Sequence, residues 1–440
     1  GTVDGVKTVL ISVPNDAKTV VIPETVTSIY KGAFEGCSQL TQVTIPGTVK
    51  EIGEGAFKGC SKLTTVNIEE GVTDIAANVF DGCDQLKAIV LPSTITKVDE
   101  AAFAGSSVEK VLVPEAIAQK VTLPSTVETV AFPEGVVPVV ENGYVYGTVN
   151  GVKTTLISVP TDATDVKIPS TVTTIYKGAF EGCSQLTQVT IPASVTEIGE
   201  GAFKGCSNLT SVTLEGSKNA GNLTVAPDAF DDAPLKELVI DRNTEGTPFA
   251  GKEELKTVTI GQNKTTILGG EFTGTGITDI TVPATVTEIG EGAFKGCSNL
   301  KEVVLEGNET AGSLTVGKDA FDGTNVETLY QNRNTEGAPF SGNENLKNVT
   351  IGENVTELKK GEFEGSDNIT DITFEGTTPP TVPDNTFDKT VTDNVTPKVP
   401  DEAKEKYEQE LENSFKEVES VGAVTATQGG ITYKVESKNG

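Results

Sequence analysis

Between Leu40 and Lys62 the chain reads LTQVTIPGTVKEIGEGAFKGCSK, and its apolar positions fall into three short groups within 23 residues. Val43 and Ile45 alternate with the polar Gln42 and Thr44, the pattern of a half-buried strand. Pro46 has no amide to give to a ladder and ends it. Val49 and Ile52 mark a second short extended piece, closed by Gly53. GEGAFKGC is too short for a stable helix and predicts a single helical or 3₁₀ turn that buries Phe57 and Cys60. The phenylalanine of that turn recurs at Phe34, Phe57, Phe80 and Phe103, and from Phe180 onward to Phe387, most often 23 residues apart. Two pairs of steps, Phe203 to Phe230 to Phe249 and Phe294 to Phe321 to Phe340, run long and then short, and together restore the ordinary spacing. No such three-sided coil can bury its own apolar face, so coils must stack and share one core.

The pattern LxxVxIPxxVxxIGxxAFxGC at Leu40–Cys60 and Leu186–Cys206, with its relative at Ile277–Cys297, resembles the BspA-like leucine-rich repeat of bacterial surface proteins. The resemblance spans about residues 20–395. It implies an α/β solenoid: a right-handed leucine-rich repeat superhelix of about 23-residue coils, strand-dominated with short helical turns. Residues 1–395 form the expected solenoid, 396–420 a helical cap and 421–440 a tail. In the cap Ala403, Tyr407, Leu411, Phe415 and Val418 share one face of a helix that starts near Asp401 and Glu402. The tail carries a strand-like ITYKVE.

Two longer duplications lie over the short period. Residues 1–60 match 147–206, and the second copy reads YVYGTVNGVKTTLISVP, a β-hairpin near 143–160 turning at Asn150-Gly151. The first copy has Asp4-Gly5 at that turn but starts inside the partner strand, which we read as truncation. Tyr144 and Tyr146 of the hairpin are expected to pack on the solenoid. The second duplication, offset by 91, matches Cys206–Phe249 to Cys297–Phe340. Within it DRNTEG and NRNTEG hold Arg242 and Arg333, read as longer turns that offset the uneven steps while the arginines neutralise nearby acids. Gln331 stands where Ile240 points inward, which requires a buried, partnered amide or a displaced strand.

Charge narrows the partners. With 34 Lys+Arg against 63 Asp+Glu the net charge is −29, a field that repels phosphate backbones and anionic lipids. Neither nucleic acid nor membrane insertion of this chain is expected. Histidine is absent, which removes Ser-His-Asp and Cys-His pairs and histidine metal ligands. The acid pairs Glu51/Glu54, Glu197/Glu200 and Glu288/Glu291 recur with the repeat, as a solvated face does, and no DxDxDG calcium loop accompanies them. Cys37, Cys60, Cys83, Cys183, Cys206 and Cys297 share one repeat position that elsewhere holds Ser106, Thr275 or Thr324. A disulfide framework would not tolerate those replacements, so the thiols read as small core groups. We expect no enzyme, no cofactor and no metal.

If the strands stack in parallel, Asp279, Glu302, Thr328 and Asp371 fall in one outward column and Tyr330 in the next. These five are the candidate ligand contacts. The family resemblance implies an extracellular or cell-surface protein, expected as a monomer that binds a protein or glycan ligand. The alternative is a passive stalk that displays another domain.

Overall fold

The computed structural model describes residues 2–3, 6–133, 135–421, 425–428 and 431–434. It is a parallel-strand solenoid in which each coil contributes one strand to each of two sheets. In the first unit (Gly1–Thr161 with Thr171–Glu181), Gln42–Ile45, Thr65–Ile68, Ala88–Val90, Lys110–Pro114 and Glu128–Phe132 form one parallel sheet. The two-residue strands Ser28–Ile29, Glu51–Ile52, Asp74–Ile75 and Lys97–Val98 form another, with Val9–Leu10 at its edge. The second unit (Asp162–Ser170 with Gly182–Gly440) repeats the scheme. Its longer strands run from Gln188–Ile191 to Thr257–Ile260, and from Asp279–Val282 to Asp371–Phe374.

Register follows the repeat. Val43 lies against Val66 and Ile45 against Ile68, so apolar side chains meet apolar ones on the inner face of these coils. The phenylalanines stack from coil to coil: Phe34 on Phe57 at 4.5 Å between ring centres and Phe203 on Phe230 at 4.7 Å, with interplanar angles of 19° and 8°. Phe34, Phe57, Phe80, Phe203 and Phe230 are wholly buried.

The AFxGC segments are not helical. Ala56, Lys58 and Cys60 donate back three residues to Gly53, Gly55 and Phe57, but Gly55, Phe57 and Gly59 donate to Ala77, Val79 and Asp81 of the next coil. A helix would direct all these amides along its own axis; here every second one leaves the segment and ties coil to coil. Gly55 and Gly59, at φ 58° and 73°, make the alternation feasible.

The inserted hairpin is larger than the pattern suggested. Tyr144–Val149 pairs antiparallel with Val152–Ser158 across Asn150-Gly151, both at positive φ, as a type I′ turn requires. A third strand, Val137–Glu141, joins through a second turn at Asn142-Gly143, also at positive φ. The far strand rejoins the solenoid, Leu156 lying parallel to Ile175. One face of this meander buries Val145 and Ile157 in a cluster with Ala88, Leu112 and Phe132 of the first unit's longer-stranded sheet.

In the cap, the helix covers only Lys404–Glu410, preceded by a 3₁₀ turn at Asp401–Ala403. Its predicted apolar face is buried in full: Ala403, Tyr407, Leu411, Phe415 and Val418. No side-chain cap is made by Asp401. After Phe415 the chain turns back as Glu419–Val421, which with Lys398–Pro400 extends the parallel sheet by two strands. Thr2–Val3 pairs with Val6–Lys7, and Asp4-Gly5 lies outside the described residues. In the tail Ile431–Lys434 pairs antiparallel with Thr425–Gln428.

Candidate functional site

The five candidate residues lie on the longer-stranded sheet of the second unit. Asp279, Glu302, Thr328, Asn348 and Asp371 are consecutive register partners across five parallel strands, and Thr281, Val304, Tyr330, Thr350 and Thr373 form the adjacent column. The second and fourth residues of each strand enter the core, so the first and third face outward, and of these ten only Val304 is buried. Asp279 and Glu302 set two carboxylates side by side. Burial, and secondarily Asp279, holds the Glu302 carboxyl above the usual range. At the far end Lys398 pairs with Asp371.

Tyr330 does not stand free. Its hydroxyl donates to Glu375 Oε2 at 2.9 Å, past Thr350 of the one intervening strand. Burial first, then the neighbouring Glu375 carboxylate, pushes the phenol pKa up, and burial raises Glu375 as well. Glu375 was missed in the sequence because it follows the last strand residue, Phe374, where the alternation ends.

The equivalent face of the first unit is covered. The meander seats Val145 and Ile157 on Leu112 and Ala88. Lys110, only 3% exposed, donates to the Val159 carbonyl at 3.3 Å and lies 3.8 Å from Glu128. The apolar outward residues at 88 and 112 thus belong to an internal interface. Tyr146 is buried and stacks on Tyr144 at 6.3 Å, with Lys153 Nζ 4.7 Å from its ring centre.

Among the described residues Arg242 and Arg333 pair with no acid, contrary to the expectation that they neutralise one. Both are 2% exposed. Arg242 donates to the carbonyls of Ala193, Val195 and Gly221, and Arg333 to those of Pro283, Ala284, Val286 and Glu306. The reason is the short coil. Where an ordinary coil places a buried valine (Val49, Val195, Val286) between its two strands, Ile240 and Thr244 are separated by only three residues. The guanidinium fills that space and binds the carbonyls around it, while burial lowers its pKa.

Gln331 keeps the strand register and is wholly buried. Its amide donates to Glu362 Oε1 at 2.8 Å, and Thr335 Oγ1 does so at 2.7 Å. Glu362 and its counterpart Glu271 occupy the position before the phenylalanine that is alanine in most coils, so AF becomes EF. That was the legible signal, and it was missed. Glu271 is likewise buried, held by Lys264 Nζ at 3.0 Å and Thr244 Oγ1 at 2.8 Å.

The cysteines are buried free thiols. Cys60 and Cys83 donate to the carbonyls of Phe34 and Phe57 in the preceding coil, at 3.2 and 3.3 Å. Thr275 and Thr324 instead donate within their own coil, to Phe272 and Phe321. Burial raises the Cys37 thiol pKa to about 11. Glu51, Glu54, Glu197, Glu200, Glu288 and Glu291 are all exposed. Among the described residues no group of three or more His, Cys, Asp or Glu converges as a metal site would require.

The model of the BspA type leucine rich repeat region, six copies long, matches residues 15–130, 160–267, 223–339 and 315–402. The chain belongs to this family. A leucine-rich repeat protein from Bacteroides ovatus is similar at 23% identity over 83% of this chain and 92% of that one, with a TM-score of 0.35. A leucine rich cell surface protein from Faecalibacterium prausnitzii shares 28% identity over 67% of this chain and 82% of that one, TM-score 0.29. A leucine-rich repeat protein from Eubacterium ventriosum shares 22% over 68% and 83%, TM-score 0.29. No curated protein matches the chain.

Proposed function

We propose that the chain is a non-catalytic binding module of the bacterial cell surface, monomeric, whose second unit grips a protein or glycan ligand. The observation that carries this reading is the contrast between two equivalent faces. In the first unit the strands at 88–113 are roofed by the meander. In the second, the column from Asp279 to Asp371 carries no such cover among the described residues. Asp279, Glu302, Thr328 and Asp371 supply hydrogen-bonding groups at strand spacing, and Tyr330, fixed by Glu375, supplies an aromatic flank. Protein and glycan ligands both suit such a face; phosphate-rich polymers do not, because no cation lies in either column between Asp279 and Thr373.

Surface placement rests on the resemblance to bacterial surface proteins, and labelling of intact cells with an antibody to this chain tests it. Binding is tested on a glycan array and on immobilised host-matrix proteins. A single saturable ligand, weakened at least tenfold by Tyr330→Ala or by Asp279→Asn with Glu302→Gln, is the expected result. A blank screen, or binding indifferent to these changes, leaves the passive stalk as the better account.

A further inference from the structure

Glu271 and Glu362 sit in cradles that match except at one place. Glu271 Oε1 accepts from Thr244 Oγ1 at 2.8 Å, and Oε2 accepts from the Leu268 amide at 2.8 Å. Glu362 is held by the same atoms of Thr335 and Lys359, the counterparts of Thr244 and Leu268 at the offset of 91. The difference lies beside Oε1. In the first cradle Lys264 Nζ lies 3.0 Å from it; in the second Val355 takes the lysine's place and the Gln331 amide is the donor. Lys264 and Glu271 are 0% exposed and Thr244 is 1% exposed. The other printed contact of the ammonium is the Arg242 carbonyl, at 3.5 Å. An amine and a carboxyl group are thus enclosed together away from water, and of the two like sites one alone contains the amine.

We infer that Lys264 and Glu271 become joined by an amide bond between Nζ and Cδ, formed by the folded chain itself. The ion pair is the precursor. A proton first passes from Nζ to Oε1, turning two charges into a neutral amine and a carboxylic acid, the form that a site without water favours. Burial lowers the Lys264 pKa, although Glu271 pulls the other way, and so eases this transfer. The nitrogen lone pair then attacks Cδ, and the Leu268 amide, already on Oε2, stabilises the charge that gathers there. One of the two protons on nitrogen moves to Oε1 through the Thr244 hydroxyl, the Cδ–Oε1 bond breaks, and Oε1 leaves as water. The products are one amide and one water, with no oxidant or cofactor consumed. The step is a single self-modification and turns over nothing. Proximity supplies its rate, because folding holds the two groups together where free solutes would have to meet. The closed ring spans residues 264–271 and ties the turn of this coil to its phenylalanine segment.

Mass spectrometry of the full 440-residue chain tests this. After prolonged incubation in the folded state and then denaturation, the intact chain is expected to be lighter by one water than its sequence requires. Trypsin cuts after a free lysine, so an unmodified chain yields residues 257–264 and 265–295 as separate peptides. The joined chain yields residues 257–295 as one species, lighter by one water. Lys264→Met is expected at its full mass, and the Glu362 peptide of the parent chain, which has no such amine beside it, should lose nothing. The proposal is overturned if the parent chain has its full mass, if fragmentation places the lost water at another pair, or if Lys264→Met still loses it. The parent measurement decides by itself even where the variant does not fold.

Discussion

Gln331 Nε2 lies 2.8 Å from Glu362 Oε1, and ninety-one residues earlier, where Ile240 replaces the glutamine, Lys264 Nζ lies 3.0 Å from the matching Glu271. One buried carboxylate is thus served by two different donors. In the first arrangement the donor comes from the strand and Val355 fills the turn; in the second the strand residue is apolar and the turn residue is the lysine. The exchange is reciprocal, as a buried polar group demands: lose one partner and another must be supplied from a neighbouring position.

Reciprocity predicts a rescue. Gln331→Ile alone removes a donor from a buried carboxylate and should cost about 2 kcal/mol. Adding Val355→Lys rebuilds the Lys264 arrangement and should recover most of that loss. A double-mutant cycle by chemical denaturation measures the coupling. Strictly additive effects of the two substitutions would contradict the exchange.

The same carboxylate sets a pH dependence. Burial raises the Glu362 pKa above its ordinary value, while Thr335, the Lys359 amide and Gln331 pull it back. Between the ordinary value and the raised one, the native state holds a proton that the unfolded chain has released. Stability therefore falls as pH rises through that window. Glu362→Gln should flatten the decline above about pH 4.5. Glu302 and Glu375, also raised, contribute the same slope to both proteins and cancel in the comparison. Denaturation midpoints at several pH values decide the matter, and an unchanged slope would exclude Glu362 as its source.

Arg242 should resist conservative replacement. Arg242→Ala strands the carbonyls of Ala193, Val195 and Gly221 and opens a void in the short coil, a loss of about 3 kcal/mol. Arg242→Lys should recover little, because one ammonium cannot reproduce the planar fork that reaches all three. Thermal unfolding of the two variants provides the comparison; a lysine variant as stable as the parent would refute the role.

In the ring column, Phe57→Ala should cost about 3–5 kcal/mol, since Phe57 is wholly buried between Phe34 and Phe80 at 4.5 and 5.8 Å. Tyr30→Ala, at an exposed position, should stay within about 0.5 kcal/mol. Hydrogen exchange at the Gly55 and Gly59 amides, which donate to the next coil, should report the local opening.

Much of this protein is legible along the chain. Val43, Ile45, Val49, Ile52 and Phe57 recur at fixed spacing, and side-chain spacing alone dictates which residues a coil must bury. Hence the stacked phenylalanines, the outward columns and the apolar face of the cap followed from the residues themselves. What the residues could not disclose depends on neighbours 20 to 60 positions away. Whether GEGAFKGC closes as a helix or sends alternate amides into Ala77, Val79 and Asp81 is decided by the adjoining coil. Which group meets Glu362, which carbonyls meet Arg242, and that Val145 and Ile157 roof one sheet are likewise settled only when coils come together. Hydrogen bonds and desolvation act through space, and a repeat period records burial without recording partners.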